Sequence, residues 1–366
     1  MTRTIGRALA LLTLTVAGAA RVDAQARVLL QGIADGEFWS TDTMSTFLRR
    51  NDGSPGVMGR LQLWGAVEPA RGFVVYAEAL GEQGPACTTP EAELEQAGVR
   101  YTASRRLVID AGKITSLIGE FTNRRFSNRN PLIGVPDAYP VQYPTGVQAA
   151  GVAKIVDYAI AAVDLPFYHA GYTPKPTRAW RPVARLGITP IIGVRLGASY
   201  TQGPYLNDGF SAGVLAQKDW KDYQQRVGAV DFTLSAGFFE LNSEAGWSRY
   251  EVPQRDPVEG VAYYVEGKYT FTPRMFVATR VERNDYPFID NFGGFWVATK
   301  TDFHNEEYGV GYRLSATTLL KLSYRRDTWQ VNPSNDPFVN PGGKAIAFQL
   351  SQSFDVLDIV NRARLR

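Results

Sequence analysis

Apolar and polar residues alternate with a period of two in segments of about ten residues along most of the chain. In the segment 258–272, Tyr263 and Val265 fall on one face, whereas Tyr264 and Glu266 fall on the other. This alternation is the pattern of strands with one apolar and one polar face. The sixteen predicted strands are Arg27–Trp39, Val57–Glu68, Gly72–Gly81, Ala92–Thr102, Arg105–Ser116, Val147–Val156, Tyr158–Pro166, Trp180–Pro190, Ile191–Gln202, Tyr223–Leu234, Ser235–Val252, Val258–Thr272, Arg274–Asn284, Phe303–Ser315, Thr318–Gln330 and Lys344–Phe354.

The connections between these strands alternate in length. Seven are tight turns, as at Glu68–Gly72 and Thr272–Pro273, and eight are mostly longer. A transmembrane barrel with an even number of strands and both chain ends on one side has short turns at one end and long loops at the other. A soluble β-sandwich has Greek-key crossings and no reason to sort its loops in this way. We therefore predict an all-β protein, a transmembrane antiparallel β-barrel of about 16 strands that covers residues 25–354.

Residues 1–24 have the composition of an export signal. Arg3 and Arg7 give a positive start, residues 8–20 are apolar or small, and Ala24 ends a small-residue cleavage site. The apolar run is shorter than the roughly 20 residues that a membrane-spanning helix needs. Cleavage removes three arginines and one aspartate and lowers the net charge from +3 to +1. A nearly neutral chain gives no indication of a nucleic-acid partner.

An exported barrel is expected in the outer membrane of a Gram-negative-type bacterium, with outer-membrane lipid around it. The last predicted strand ends in Phe354, as in the insertion signal of such barrels, and residues 355–366 are expected to form a polar or helical tail. Cys87 is the single cysteine, so an internal disulfide is excluded. The sequence assigns no role to the tail or to Cys87.

The longest segment without alternation is residues 117–146, which is rich in Pro, Gly, Asn and Arg. Loops of this length inside a compact domain are uncommon and usually functional. By its position it is the third external loop, and we predict that it folds inward and narrows the pore. Its charged candidates are Arg124, Arg125, Arg129 and Asp137. Charges at a narrow point select ions, and guanidinium groups stay charged and bind phosphate or carboxylate.

Charged residues recur on the polar faces of the predicted strands, as a water-filled lumen requires. The basic candidates for the lumen lining are Arg60, Arg100, Arg181, Arg185, Arg195, Lys268, Arg280, Arg313, Lys321 and Arg325. The acidic candidates that face them are Glu78, Glu240, Glu244, Glu266, Glu282 and Glu307. The mixture is only slightly basic, so these charges either set a selectivity or only wet the lumen and pair across it.

The residues Asp110-Ala-Gly-Lys-Ile-Thr-Ser-Leu-Ile-Gly119 resemble the strand-to-loop stretch of the phosphate-selective porin O and P family. In that family a Gly-Lys-x-x-x-x-x-Gly pattern leads into the third loop. The resemblance implies a passive diffusion pore, commonly trimeric, with basic residues at the constriction, and it marks Lys113 as a family-like position. Lysine is otherwise scarce on the loop, which leaves open whether phosphate or another small hydrophilic solute passes.

Two other classes of function stay open. One is a barrel with a sealed lumen that serves adhesion or surface structure, and conductance in a planar bilayer discriminates it from a porin. The other is a lipid hydrolase on the barrel wall, which needs a His–Ser arrangement. His169 and His304 lie in or beside predicted external loops, and no nucleophile elbow, phosphate-binding loop or metal-spaced Cys/His set occurs. We therefore expect a porin without enzymatic activity, metal or cofactor.

Overall fold

The computed structural model describes residues 27–41, 56–84, 87–136, 141–164, 179–209, 213, 215–285, 302–329 and 343–359. Within these ranges the chain forms sixteen strands, each antiparallel to its neighbours in chain order, and β1 pairs with β16 to close a barrel. The predicted all-β barrel of 16 strands is confirmed. The strands are β1 (Arg27–Thr41), β2 (Gly56–Ala70), β3 (Phe73–Gly84), β4 (Cys87–Ser104), β5 (Leu107–Lys113), β6 (Thr145–Ala153), β7 (Val156–Val163), β8 (Arg181–Ile191), β9 (Val194–Pro204), β10 (Gln224–Ala236), β11 (Phe239–Tyr250), β12 (Val258–Thr272), β13 (Met275–Asp285), β14 (Asp302–Arg313), β15 (Thr318–Trp329) and β16 (Gly343–Asp355).

The two faces of the wall differ in burial, as the alternation predicts. On β12, Tyr263 and Val265 are 37% and 43% exposed, whereas Tyr264 and Glu266 are 0% and 1% exposed. Exposed apolar side chains of this kind occur on strands around the whole barrel. The wall thus has the apolar exterior and polar interior of a membrane-spanning barrel. Among the described residues, no helix is both long enough and apolar enough to cross a membrane.

Three predicted turns were misplaced by two or three residues. The turns predicted at 156–157, 189–190 and 235–236 are strand residues, and the chain reverses at 154–155, 192–193 and 237–238 instead. Lys154, Gly193 and Gly237 have φ values of 58°, 88° and 60°. Tight hairpin turns use positive φ, so the chain reverses where the backbone adopts it. Pro190, at one of the predicted turns, is a residue of β8 and does not set the turn position.

The predicted second loop, Glu82–Glu91, was also wrong, because β3 extends to Gly84 and β4 begins at Cys87. Short 3-10 helices occur at Phe121–Arg124 and Trp220–Asp222. Residues 356–359 form one helical turn after β16. The predicted signal peptide, residues 1–24, lies outside the described residues and stays a prediction.

Candidate functional site

Residues 114–144, which we call the third loop, leave β5 through two glycines with positive φ. Gly112 has a φ of 131°, and a Cβ atom there would lie 2.2 Å from the carbonyl oxygen of Ala97. Gly119 has a φ of 75°. Residues other than glycine rarely adopt such a backbone. These two residues are the glycines of the Gly-Lys-x-x-x-x-x-Gly pattern, so the pattern reflects the backbone path from β5 into the loop.

The first part of the third loop packs on an apolar sector of the inner wall. Ile114, Ile118 and Phe121 are buried there, and the Phe121 ring meets the Tyr264 ring edge-on at 5.9 Å between centroids. The wall residues of this sector are Val163, Val183, Val227, Ala229 and Tyr264. A wetted interior would not favour these side chains, but the loop covers them and removes their apolar surface from water.

Arg124 belongs to a buried chain of charges on β12, β13 and β14. Its guanidinium donates to Glu266, which also accepts a hydrogen bond from Arg280 Nη1 at 3.3 Å. Arg280 Nη2 donates to Glu307 at 2.7 Å. The Glu266, Arg280 and Glu307 side chains are at most 3% exposed. Charges buried this deeply require partners, so Arg124 holds the loop against the wall.

Arg125 anchors the loop on the opposite part of the wall. Its Nη2 atom donates to Glu78 of β3 at 2.6 Å and also to Glu95 of β4, while its Nε atom donates to the Tyr143 hydroxyl. Burial raises the pKa of the Tyr143 phenol, although the neighbouring Arg125 lowers this pKa. Tyr143 therefore stays neutral at pH 7 and accepts the hydrogen bond without adding a charge. Gln62 completes the group by donating to Glu78 and Glu95 at 2.6 and 2.9 Å.

A third group of ion pairs holds the residues around Glu120. Arg185 of β8 donates to the Gly119 carbonyl oxygen at 2.6 Å and binds both Glu120 and Asp231, the latter at 3.0 Å. Arg195 of β9 also binds Asp231. The wall supplies the cations here and the loop supplies a carboxylate, the reverse of the arrangement at Arg124 and Arg125.

The far part of the third loop contacts β1, β15 and β16. Ser127 Oγ donates to Asp35 Oδ1 at 2.7 Å. Lys321 Nζ of β15 donates to the carbonyl oxygens of Asn130 and Leu132 at 3.0 and 2.9 Å. Together with the contacts to β3, β8 and β12, these bonds carry the loop from one side of the interior to the other.

Arg129 differs from the other two arginines of the loop because its side chain is exposed. Its guanidinium lies over the Phe126 ring at 5.4 Å and donates to the Asn123 carbonyl oxygen at 3.3 Å. Within the part of the chain that the structure describes, no carboxylate pairs with it. Arg129 thus carries a charge that no described carboxylate compensates.

One predicted constriction residue, Lys113, does not join this arrangement. Lys113 ends β5, where its Nζ atom donates to Glu93 Oε1 at 3.0 Å and to the Leu94 carbonyl oxygen at 2.6 Å on β4. These partners are wall residues, so the structure places Lys113 apart from the loop arginines. Asp137 lies outside the described residues.

The other predicted lumen residues occupy interior-facing strand positions and are mostly paired. Ion pairs join Arg60 to Glu37 and Glu82, Arg100 to Asp110, Lys268 to Glu240, and Arg325 to Glu282 and Asp327. Arg181 donates to Thr201 and Gln225. Glu244 accepts from the Glu120 backbone N–H at 2.9 Å and from Tyr264. Arg313 forms no ion pair with a described residue. The interior is therefore dominated by compensated charges.

Sequence reasoning missed Glu95, Glu120 and Asp231. Glu95 is missed because it is an extra residue in β4. Its neighbours Gln96 and Leu94 lie opposite the consecutive β3 residues Glu78 and Ala79, so no β3 residue lies opposite Glu95. Such a bulge turns a side chain away from the face that simple alternation assigns. Asp231 follows the ordinary alternation of β10, so its parity with buried Val227 would have found it.

Solved structures of outer-membrane porins and channels share this fold. An anion-selective porin from Comamonas acidovorans aligns with a TM-score of 0.61 at 11% identity, over 90% of this chain and 100% of that one. The outer membrane channel DcaP of Acinetobacter baumannii aligns with a TM-score of 0.66 at 12% identity, over 91% and 98%. OmpT of Vibrio cholerae, in a trimer form, aligns with a TM-score of 0.57 at 10% identity, over 90% and 99%.

A comparison with protein-family models gives no match, and a comparison with curated proteins gives no significant one. At identities of 10–12% the structural likeness concerns the fold. The described residues form a closed sixteen-stranded barrel that shares its fold with outer-membrane porins.

Proposed function

We propose that this protein is an outer-membrane porin through which small polar solutes diffuse passively. The observation that carries the proposal is the third loop, which is bound to opposite parts of the inner wall through Arg124, Arg125 and Lys321. A loop held inside a barrel narrows the passage and places its side chains where they act on passing ions. The apolar exterior and the porin fold support a location in the outer membrane of a Gram-negative-type bacterium.

The preference that we propose is for anions, with Arg129 as its source. Glu266, Glu78 and Glu95 neutralise Arg124 and Arg125, so these two residues add little positive potential to the passage. The exposed guanidinium of Arg129 attracts small anions, including phosphate, because it stays charged and presents several N–H donors. The anion selectivity named for the similar porin from Comamonas acidovorans supports this choice.

We further propose a homotrimer, by analogy with the trimer form of the similar OmpT. Chemical cross-linking of the mature protein in detergent tests this assembly. A ladder that ends at three subunits supports the trimer, and a single-subunit band at saturating cross-linker overturns it.

The test of the porin function is single-channel recording of the refolded mature protein in a planar bilayer, with the reversal potential measured under a salt gradient. Stepwise openings with anion preference support both the pore and the role of Arg129. Openings with cation preference retain the pore and overturn that role, which moves control to acidic residues such as Glu240. A folded, β-rich protein without openings overturns the porin function and favours the sealed barrel for adhesion or surface structure.

A further inference from the structure

Three tight turns on one side of the barrel present unpaired basic side chains. The turns join β2 to β3, β4 to β5 and β6 to β7, and their exposed basic residues, which we call the basic ledge, are Arg71, Arg105, Arg106 and Lys154. No described carboxylate pairs with any of them. The only acidic residue in the stretches 68–72, 103–106 and 153–156 is Glu68, which accepts a hydrogen bond from the Gly72 backbone N–H at 3.0 Å.

Hydrogen bonds between neighbouring turns fix the ledge in place. The Thr102 N–H donates to the Gly72 carbonyl oxygen at 2.7 Å, and the Val152 N–H donates to the Arg105 carbonyl oxygen at 2.9 Å. The Tyr158 hydroxyl donates to the Arg106 carbonyl oxygen at 2.7 Å. The three turns therefore adjoin one another in one continuous row, and the four basic residues stand on neighbouring turns.

The outer wall next to the ledge is apolar and aromatic. Tyr101, Leu107 and Tyr158 are exposed on the outer face within a few residues of these turns. Aromatic side chains of membrane barrels lie at the level where acyl chains meet headgroups. Cations directly beyond them lie at the level of the headgroup phosphates.

The next two turns along the same rim lack this character. The turns that join β8 to β9 and β10 to β11 have no Lys or Arg in the stretches 189–193 and 235–238. Their tips instead expose Ile192 and Phe238, at relative residue exposures of 102% and 69%. The β12–β13 turn carries one exposed cation, Arg274, and Arg313 ends β14 beside the last turn. A general need for solubility would act on every turn alike, so the concentration of four cations on three neighbouring turns indicates a ligand there.

We propose that the basic ledge binds the phosphate groups of anionic phospholipids in the leaflet on the turn side of the barrel. The inference rests on the proposed membrane location, but it is independent of solute passage. Basic residues near an anionic membrane surface are attracted to it, and arginine holds phosphate through two N–H groups. The ledge continues directly into the apolar outer wall, and this continuity favours a lipid over a soluble polymer.

Lipid enrichment around the full mature barrel tests the proposal. The protein is reconstituted in vesicles of equal phosphatidylcholine and phosphatidylglycerol, extracted with its surrounding lipid by a membrane-solubilising polymer, and the two lipids are quantified. We expect phosphatidylglycerol to be enriched roughly fivefold around the wild type and less so as salt is raised. The variant Arg71→Gln/Arg105→Gln/Arg106→Gln/Lys154→Gln is expected to return the ratio to that of the bulk lipid.

A matched control removes the same number of exposed cations at the opposite, loop end of the barrel, as Lys218→Gln/Lys221→Gln/Arg226→Gln/Arg255→Gln, and is expected to keep the enrichment. Heat-modifiable migration on a gel verifies that each variant is folded. Equal enrichment in the ledge variant and the wild type, or none in the wild type, overturns the proposal. The lipid proposal is also overturned if the ledge variant keeps the lipid enrichment but loses binding to isolated peptidoglycan sacculi. In that case the basic ledge binds the peptidoglycan polymer. The ledge variant is expected to show the same channel openings as the wild type. The lipid result therefore tests the ledge separately from the proposed porin function.

Discussion

The third loop holds three arginines within six residues, and the structure divides them into two kinds. Arg124 and Arg125 donate to buried carboxylates of β12, β3 and β4 and hold the loop to the wall. Among the described residues, Arg129 has a ring face and a carbonyl oxygen as partners, and it stays exposed. Residues of one type in one short segment therefore have different consequences, because the described part of the wall supplies carboxylates to Arg124 and Arg125 and none to Arg129.

The number of arginines in a pore loop therefore does not measure the positive potential of that loop. A guanidinium that is paired with a buried carboxylate contributes mainly to position, whereas an unpaired one contributes to the field that an ion meets. Single substitutions separate the two contributions.

The largest effect is expected from Arg125→Gln. The substitution leaves Glu78 and Glu95 buried without a cation, and removal of one partner of a buried pair lowers the free energy of unfolding by about 3–5 kcal/mol. Urea unfolding of the refolded barrel measures the change. The additional substitutions Glu78→Gln and Glu95→Gln remove the unpaired charges and should restore much of the stability. A loss below about 1 kcal/mol in the single variant would show that Arg125 does not anchor the loop.

A smaller loss is expected from Arg124→Gln. Glu266 keeps the hydrogen bond from Arg280 at 3.3 Å, so the substitution removes one of two cationic partners. The free energy of unfolding should fall by about 1.5–3 kcal/mol, the range for a hydrogen bond to a charged group. The same urea experiment measures it. A loss as large as that of Arg125→Gln would contradict the view that Arg280 supports Glu266.

The third variant, Arg129→Gln, should change selectivity and leave stability within about 1 kcal/mol of the wild type. A unit charge about 4 Å from an ion in water contributes about 1 kcal/mol, so the permeability ratio of chloride to potassium should fall roughly fivefold. Reversal potentials under a salt gradient measure this ratio. If Arg124→Gln lowers the ratio and Arg129→Gln does not, the assignment of the two arginines is reversed.

The smallest effect is expected from Lys113→Gln. The ion pair with Glu93 is partly exposed, with side chains 31% and 67% accessible, and such pairs contribute about 0–1 kcal/mol. Neither conductance nor the reversal potential should change, because the Lys113 side chain bonds to β4 and not to the loop. A changed reversal potential would return Lys113 to the constriction that the family resemblance implies.

The barrel itself could be predicted because its signals are local. The alternation of exposed Val265 with buried Glu266, repeated on sixteen strands, follows from the geometry of a strand between lipid and a polar interior. The order of turns and loops follows from closure of the barrel. Turn positions were less certain, because a positive φ at Lys154 depends on the hairpin and not on the residue type.

The arginine-rich loop and its entry through Gly112 and Gly119 were likewise visible in the sequence, since composition and glycine spacing are properties of the chain alone. The partner of each loop arginine was not. Glu95 meets Arg125 only because a bulge in β4 turns it inward, and Glu266 lies 142 residues from Arg124 along the chain. Which cations are compensated and which one faces the solvent is decided by contacts between distant strands and the loop, and the sequence pattern of any single segment carries no information about them.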